Sequence, residues 1–535
     1  MPLLRILIVM KVDAQIIEFL KSTPASVPWQ DIGICHHHGI DLPLASLHST
    51  FSHGIGQFSD LLPLIDWCSD VGFDVIQLLP LNDSGLDASP YNALSALALH
   101  PIYLDFHRLP NVNTLLPSDE LKKTKRIDYL AIRDYKERFF QVYCLHEGAS
   151  IAATQAYQDF INHNPWLQSY ALFKVLKNQH EQKHWKKWPK EHREPTQAVI
   201  DELLEKHHQE IRVHYLEQFF CSQQMHQVKE YAEEKGIFIK GDIPILISAD
   251  SADAWRHPEY FLPSLCAGAP PDAYSRQGQK WGFPIYDWKA LANDNYSWWK
   301  MRLDVAGRFY HLYRLDHIIG FFRIWAIPPH RSAKAGFFIP ENKEEWLPQG
   351  EKILTMMLKH SHMLPIGEDL GVDPQQVRPS MQRLGICGTK VVRWERHWEE
   401  DQSFIPLEEY SAESMTTVST HDSETLQQWW KQQPQEAKVF AEFKDWDYNE
   451  DLNEEQRKTI LKDSHHSGSL FHINLLQEYL ALIPELVWPS INDERINVPG
   501  IISKKNWTYR FRPTVEQIVS NKDLRSHITD ILADD

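Results

Sequence analysis

The sequence contains no membrane-length apolar run, no CxxC cysteine pair and no surplus of positive charge. Its only apolar start is Leu3 to Met10, cut off by Lys11 and Asp13 with no small-residue cleavage pattern behind it, which argues against a secretory signal. A membrane helix needs about 18 apolar residues in succession, and no stretch approaches that. Cys35, Cys68, Cys144, Cys221, Cys266 and Cys387 lie scattered, a pattern that speaks against a disulfide framework and for a reducing compartment. The cytoplasm is the expected location. With 55 Lys+Arg against 72 Asp+Glu, the net charge is −17, so phosphate backbones and acidic lipid surfaces should be repelled. Neither nucleic acid nor a membrane is an expected partner. Internal repeats and low-complexity segments are also missing, which removes repeat architectures from consideration.

What is present is the composition of a globular protein, 43% hydrophobic and 24% charged over 535 residues. That length suits several domains or one large barrel with subdomains. Aromatic residues make up 12%, with 19 Trp; such rings stack on the C–H faces of sugars, and they also fill cores. Short β-rich runs recur, each leading into polar residues: Asp74 to Leu81 into Asn82 and Asp83, Gly236 to Ile245 carrying Asp242, and Phe309 to Leu315 into Asp316 and His317. Met363 to Gly367 leads into Glu368 and Asp369, and Met415 to Ser419 into Thr420, His421 and Asp422. Amphipathic stretches such as Asp60 to Val71 and Gln375 to Leu384 lie between them. Alternating strands and helices imply a parallel sheet, and acids gathered at strand ends imply an α/β fold of the (β/α)₈ TIM-barrel kind, whose active sites occupy that face.

The expected organisation is an N-terminal extension over 1–28, a first barrel part over 29–117, a mostly helical insertion over 118–235, the rest of the barrel over 236–513 with a loop at 262–288, and a closing helix over 514–535. Lys186 to Arg193 (KKWPKEHR) is expected as a solvated loop.

Three strand ends can carry chemistry. On a strand, residues two apart share a face, so Arg314 and Asp316 project together; the guanidinium favours the ionised carboxylate that a nucleophile needs, and a purely structural pair would look the same. Glu368, at the end of an apolar strand, suits a general acid, while Asp369 beside it suits the cap of the next helix. His421 and Asp422 can bind neighbouring sugar hydroxyls and hold a cationic centre; as a metal pair they lack a third ligand at a standard spacing. Asp316, Glu368 and Asp422 follow one another at intervals of 52 and 54 residues, room for an elaborated βα unit in each gap. An ionised carboxylate opposite a protonated one is the retaining glycosidase arrangement, with a separation of about 5–5.5 Å.

The segment Tyr313 to Pro328 (YRLDHIIGFFRIWAIP) resembles the nucleophile region of glycoside hydrolase family 77, the amylomaltases or 4-alpha-glucanotransferases. Similar segments follow in the family's order: Asp87 to Tyr91 (DASPY), Lys240 to Asp253, Ala267 to Trp288, Gly367 to Val372 (GEDLGV), Thr420 to Thr425 (THDSET) and Arg495 to Gly500 (RINVPG). They span roughly residues 30 to 512. The resemblance implies a retaining transfer of α-1,4-glucan segments between maltooligosaccharides or to glucose, with no metal or other cofactor. It places Asp316 as nucleophile, Glu368 as acid/base and Asp422 as the acid that stabilises the transition state. Arg314 and His317 match the residues flanking the nucleophile, and His421 stands beside Asp422. Tyr91, Asp272, Trp281 and Asn497 fall where the family lines its sugar subsites, with Ala267 to Trp281 in the loop over the cleft. Two segments depart from the common pattern: Val498 stands in the Asn-Tyr-Pro-Gly motif, and Gly388 to Arg396 (GTKVVRWER) replaces the usual stretch after the acid/base. An α-glucan hydrolase of the α-amylase clan, with water as acceptor, and a catalytically inactive glycan-binding barrel are the alternatives. Cys35-His36-His37-His38 has no partner spacing for a metal, and the pairs Trp298-Trp299 and Trp429-Trp430 read as helix packing before they read as sugar platforms.

Overall fold

Apolar runs bounded by turn residues fold as twelve strands in a computed structural model that describes residues 12–112, 119–271, 276–371 and 376–533. In chain order they are β1 (His37–Leu42), β2 (Val75–Leu78), β3 (Phe238–Pro244), β4 (Phe261–Ala269), β5 (Gln279–Tyr286) and β6 (Leu312–Asp316). The others are β7 (Ile324–Ile327), β8 (Phe337–Ile339), β9 (Leu364–Gly367), β10 (Gly388–Val391), β11 (Ser414–Thr417) and β12 (Phe471–Leu475). Eight of them form one parallel sheet in the order β10-β11-β12-β1-β2-β3-β6-β9. A parallel bridge between Ile366 and Cys387, with Gly367 N–H donating to Cys387 O at 2.8 Å, joins the two ends and closes the TIM barrel. The strands are nearly continuous in burial, as a sheet covered by helices on its outer face requires.

The amphipathic stretch after β1 is the helix Leu61–Val71, which buries Leu61, Leu64, Ile65, Trp67, Cys68 and Val71 and stops at Gly72, in the left-handed conformation that favours glycine. Between β2 and β3 lie the long helices Tyr129–Ala152, Trp166–Gln179 and His208–Lys235. The last packs on Leu61–Val71 and on β3, so it serves as the crossover helix of the barrel itself. A smaller core formed by Phe173, Trp185, Trp188 and Trp255 sits beside the main one. It corrects the reading of Lys186 to Arg193 as a solvated loop: the segment holds the turn Trp185–Lys187 and the helix Lys190–Arg193, and Trp188 is buried against Phe173 while its Nε1 donates to Lys183 O. The surrounding charges hide that anchor from a composition reading.

The described residues toward both ends pack on the barrel. Leu20 and Trp29, from the helices Ala14–Ser22 and Ser26–Ile32, are fully buried, and Trp29 Nε1 donates to Gly385 O in the turn before β10. At the other end two helices, Val515–Ser520 and Lys522–Leu532, stand in place of one, because Asn521 interrupts the first and caps the second through Leu524 N–H. Trp298, Trp299, Trp429 and Trp430 are buried in helices. His37 bonds Asp74 at 2.8 Å and stacks on Phe471, while His36 and His38 meet His472 and His465. Among the described residues no helix is long and apolar enough to cross a membrane, and no cluster of three or more ligand side chains could hold a metal.

Beneath the strand ends, β3 passes close to Tyr310. A Cβ added at Gly241 would lie 2.4 Å from its ring, and Gly241 sits between Lys240 and Asp242. Gly241→Ala is expected to cost about 1–3 kcal/mol through overpacking and to weaken activity by displacing Asp242; denaturant unfolding combined with a transfer assay checks both.

Candidate active site

The C-terminal ends of β3, β6, β9 and β11 assemble the site. Strand register sets the first contact: Asp242 on β3 is paired with Arg314 on β6, and Arg314 with Ile366 on β9. Arg314 therefore stands between an acid on one neighbouring strand and Glu368 at the end of the other. Its Nη1 donates to Asp242 Oδ2 at 2.9 Å, and its Nη2 lies 2.8 Å from Asp316 Oδ1 and 3.9 Å from Glu368 Oε2. The two carboxylate oxygens that share this nitrogen cannot be farther apart than those contacts laid end to end, which is compatible with the retaining separation of about 5–5.5 Å.

Glu368 is half-buried, with its side chain 15% exposed, and the loss of water around it pushes its carboxyl up to about 7. Arg314 opposes that rise and Asp316 reinforces it. Oε2 accepts from His317 N–H at 2.9 Å and Oε1 from Leu370 N–H at 3.0 Å, so the side chain is held by backbone on both sides. The first of these bonds depends on a left-handed turn: His317 has φ 52°, which costs free energy in a side-chain-bearing residue. A helical 3-10 turn, Ile318–Phe321, follows at once, and Gly320 leaves room where a Cβ would lie 2.9 Å from the His317 ring. Burial holds His317 and His421 below the usual histidine range, so both rings are neutral near pH 7.

The third acid faces the cleft with its side chain 44% exposed. Asp422 Oδ1 accepts from Asn497 Nδ2 at 2.6 Å, and Oδ2 lies 3.5 Å from His421 Nε2. Arg495 braces the pair from behind, donating to Asp422 O at 2.9 Å and to Asn497 O at 2.7 Å. Tyr91 ties the two halves of the site together. Its hydroxyl donates to Asp242 Oδ2 at 2.7 Å and meets His421 Nε2 at 3.0 Å, while its ring stacks on that histidine.

Trp281 comes from the opposite side. The segment expected as a loop at 262–288 contains the antiparallel hairpin of β4 and β5, which β7 and β8 extend into a four-stranded sheet in the order β5-β4-β7-β8. This sheet brings the half-buried Trp281 edge-on to His317, with ring centroids 5.1 Å apart. Asp272, expected to line a sugar subsite, lies outside the described residues. Asp369 does not cap the following helix, Val377–Leu384, whose N-cap position is Gln376. Instead it accepts from Thr389 N–H and from Arg378 Nε, both at 2.8 Å, and so fixes β10 beside Glu368.

Asp242, Trp507 and Arg495 join the site without having been singled out as site residues in the sequence. Asp242 is fully buried, with its carboxyl raised to about 6 by burial against the opposing pull of Arg314. Its signal was available in the strand period, since Lys240 and Asp242 share the inward face. Trp507 packs on both Tyr91 and His421 from a distant loop, and nothing local in the sequence marks it.

A half-buried acid with a raised carboxyl beside a guanidinium-paired carboxylate can protonate a leaving oxygen while the second acid attacks carbon. The glycoside hydrolase family 77 model, 4-alpha-glucanotransferase, matches residues 42–516. The 4-alpha-glucanotransferase of Chlamydia pneumoniae is 45% identical over 528 residues, 97% of this chain and 99% of that protein. Its counterpart from Chlamydia caviae is 44% identical, across 96% of this chain and 98% of that protein. Among solved structures, the amylomaltase of Streptococcus agalactiae in complex with acarbose superposes with a TM-score of 0.80 at 24% identity, covering 93% of this chain and 98% of that one, and shares the fold.

Proposed function

Because the chain belongs to glycoside hydrolase family 77 and is a 4-alpha-glucanotransferase, we propose that Asp316, Glu368 and Asp422 carry a retaining double displacement on α-1,4-glucans. The observation that supports this most is the single nitrogen, Arg314 Nη2, that reaches both Asp316 and Glu368. Asp316 attacks the anomeric carbon while protonated Glu368 gives its proton to the departing 4-oxygen, leaving a glucosyl ester on Asp316. Glu368, now a carboxylate, takes the proton of an incoming 4-hydroxyl, and that oxygen displaces Asp316 with net retention. Asp422, fixed by Asn497 and Arg495, faces the ring as positive charge develops and offers the opposing charge. Tyr91, His421, Asn497 and the hairpin carrying Trp281 line the sugar sites, and the family resemblance gives Asp272 the same role.

Donors are α-1,4-glucans and maltooligosaccharides, and acceptors are glucose or another maltooligosaccharide. Transfer in preference to hydrolysis requires the acceptor site to hold sugar and exclude water, a role assigned to the Trp281 hairpin. All six cysteines are free, in keeping with a cytoplasmic enzyme. The test is incubation with maltotriose near pH 7 in chelator, with product lengths and reducing ends followed together. The expected outcome is a ladder of longer maltodextrins plus glucose at a constant number of reducing ends. Rising reducing ends without longer products would mean hydrolysis and overturn the transfer reading.

A further inference from the structure

Arg393, in the segment Gly388 to Arg396, is a cation buried at the top of the barrel, with its side chain 2% exposed. The turn after β10 puts it there: Val392 N–H donates at 3.0 Å to Thr417 O at the end of β11, and Trp394 N–H to Val391 O at 2.7 Å. Its guanidinium lies over Trp394 and over Trp429 of the helix Leu426–Gln432, 5.4 and 5.5 Å from the ring centroids. Nη2 donates to Glu424 Oε2 at 3.0 Å, while Nε and Nη1 have no hydrogen-bond partner among the described residues. Burying a guanidinium with two donors unmet costs free energy that an apolar side chain packed on the same rings would not. Stability therefore does not account for an arginine at this position; its one directed contact, to Glu424, does.

Glu424 stands two residues after Asp422 and meets a cation on each oxygen. Oε2 accepts from Arg393, and Oε1 lies 3.6 Å from Arg495 Nη1. Burial works against charge on this carboxyl, but its own backbone N–H and the two guanidiniums outweigh it and hold the group below the ordinary glutamate range. Arg495 turns its other nitrogens to the active site, Nη2 donating to Asp422 O at 2.9 Å and Nε to Asn497 O at 2.7 Å. A guanidinium is planar and rigid, so a carboxylate on Nη1 fixes the directions in which Nη2 and Nε point. Asn497 in turn donates to Asp422 Oδ1 at 2.6 Å. An unbroken row of contacts thus runs from Arg393 to the carboxylate that faces the sugar.

We propose that Arg393 is a positioning residue for the transition-state acid: through Glu424 it sets the plane of the Arg495 guanidinium, and through Arg495 it holds Asp422 and Asn497 toward the sugar ring. The proposal rests on the assignment of Asp422 above, and a double-mutant cycle on maltotriose disproportionation separates the two. Arg393→Met, which keeps an unbranched apolar side chain against both tryptophans, is expected to lower kcat about tenfold, the loss of one charge-assisted hydrogen bond. KM should stay nearly constant, because the interaction counts only as charge develops in the transition state. Arg393→Lys, which keeps the charge without the planar fork, should recover part of the rate. In Asp422→Asn, whose slow turnover long incubation reads, adding Arg393→Met should cost less than about twofold more, since the group it orients is already gone. Glu424→Gln, at a side chain 31% exposed, should reproduce the kcat loss, and it carries the same cycle if thermal unfolding shows that Arg393→Met does not fold. An unchanged kcat, a loss confined to KM, or the same cost repeated in the Asp422→Asn background would overturn the proposal. Transfer at the parent level in Asp422→Asn would instead overturn the assignment of Asp422 itself.

Discussion

Asp316→Asn is expected to lower transfer by about 10⁴-fold or more while leaving the fold intact, as removal of a nucleophile that acts as a unit with its partners does. Asparagine keeps the shape and can still touch Arg314, but its amide cannot form the glucosyl ester. The side chain is only partly buried at the end of β6, so little packing changes and the melting temperature should move little. A second consequence distinguishes loss of the nucleophile from general damage. Asp316 is one of the charges that raise the Glu368 carboxyl; without it, Arg314 faces Glu368 with less competition, and the Glu368 titration should move downward from about 7. The product ladder from maltotriose, thermal unfolding and a carboxyl titration by NMR together check the prediction. Transfer at the parent level would overturn the nucleophile assignment.

That coupling bears on how far the site could be read in the sequence. Asp316, Glu368 and Asp422 were legible because chemistry at a barrel mouth puts acids directly after short apolar strands, and the strand period put Arg314 on the face of Asp316. The support for these acids was not legible in the same way. Asp369 looked like a helix cap because it precedes a helical stretch, yet Thr389 N–H and Arg378 claim it across the strand end. Tyr91 and His421 are 330 residues apart, and Trp507 completes their stack from a third segment; contacts between loops of a closed barrel leave no local spacing to find. The hairpin bearing Trp281 was read as a loop for a related reason. Its strands β4 and β5 alternate irregularly between half-buried and exposed residues, with a register shift between Phe261 and Cys266, so neither clean alternation nor a continuous apolar run marks them. In the barrel strands, burial behind a shell of helices produced the apolar runs that made the fold legible.

Glu368→Gln should cost about 10²- to 10⁴-fold in transfer from maltotriose, the range for loss of a general acid, and the form of the pH profile should identify the step. A carboxyl raised to about 7 by burial is mostly protonated below pH 7 and loses its proton above it. Ester formation needs the proton, so kcat/KM for a maltooligosaccharide donor should fall about tenfold per pH unit once pH exceeds about 7. Glutamine does not titrate, and the residual rate of the variant should lose this alkaline limb. A donor whose leaving group needs no proton, such as an α-glucosyl fluoride, divides the cycle further. Its first step should largely escape the substitution, whereas attack by a sugar acceptor still lacks a base and stays slow. Azide, a nucleophile with no proton to surrender, should then intercept the ester and restore turnover. If the variant keeps the alkaline limb, or if azide fails to accelerate it with the fluoride donor, Glu368 cannot be both the acid of the first step and the base of the second. The proton would then have to pass through another buried group within reach of Arg314, and Asp242, raised to about 6 between Tyr91 and Arg314, would be the next side chain to replace.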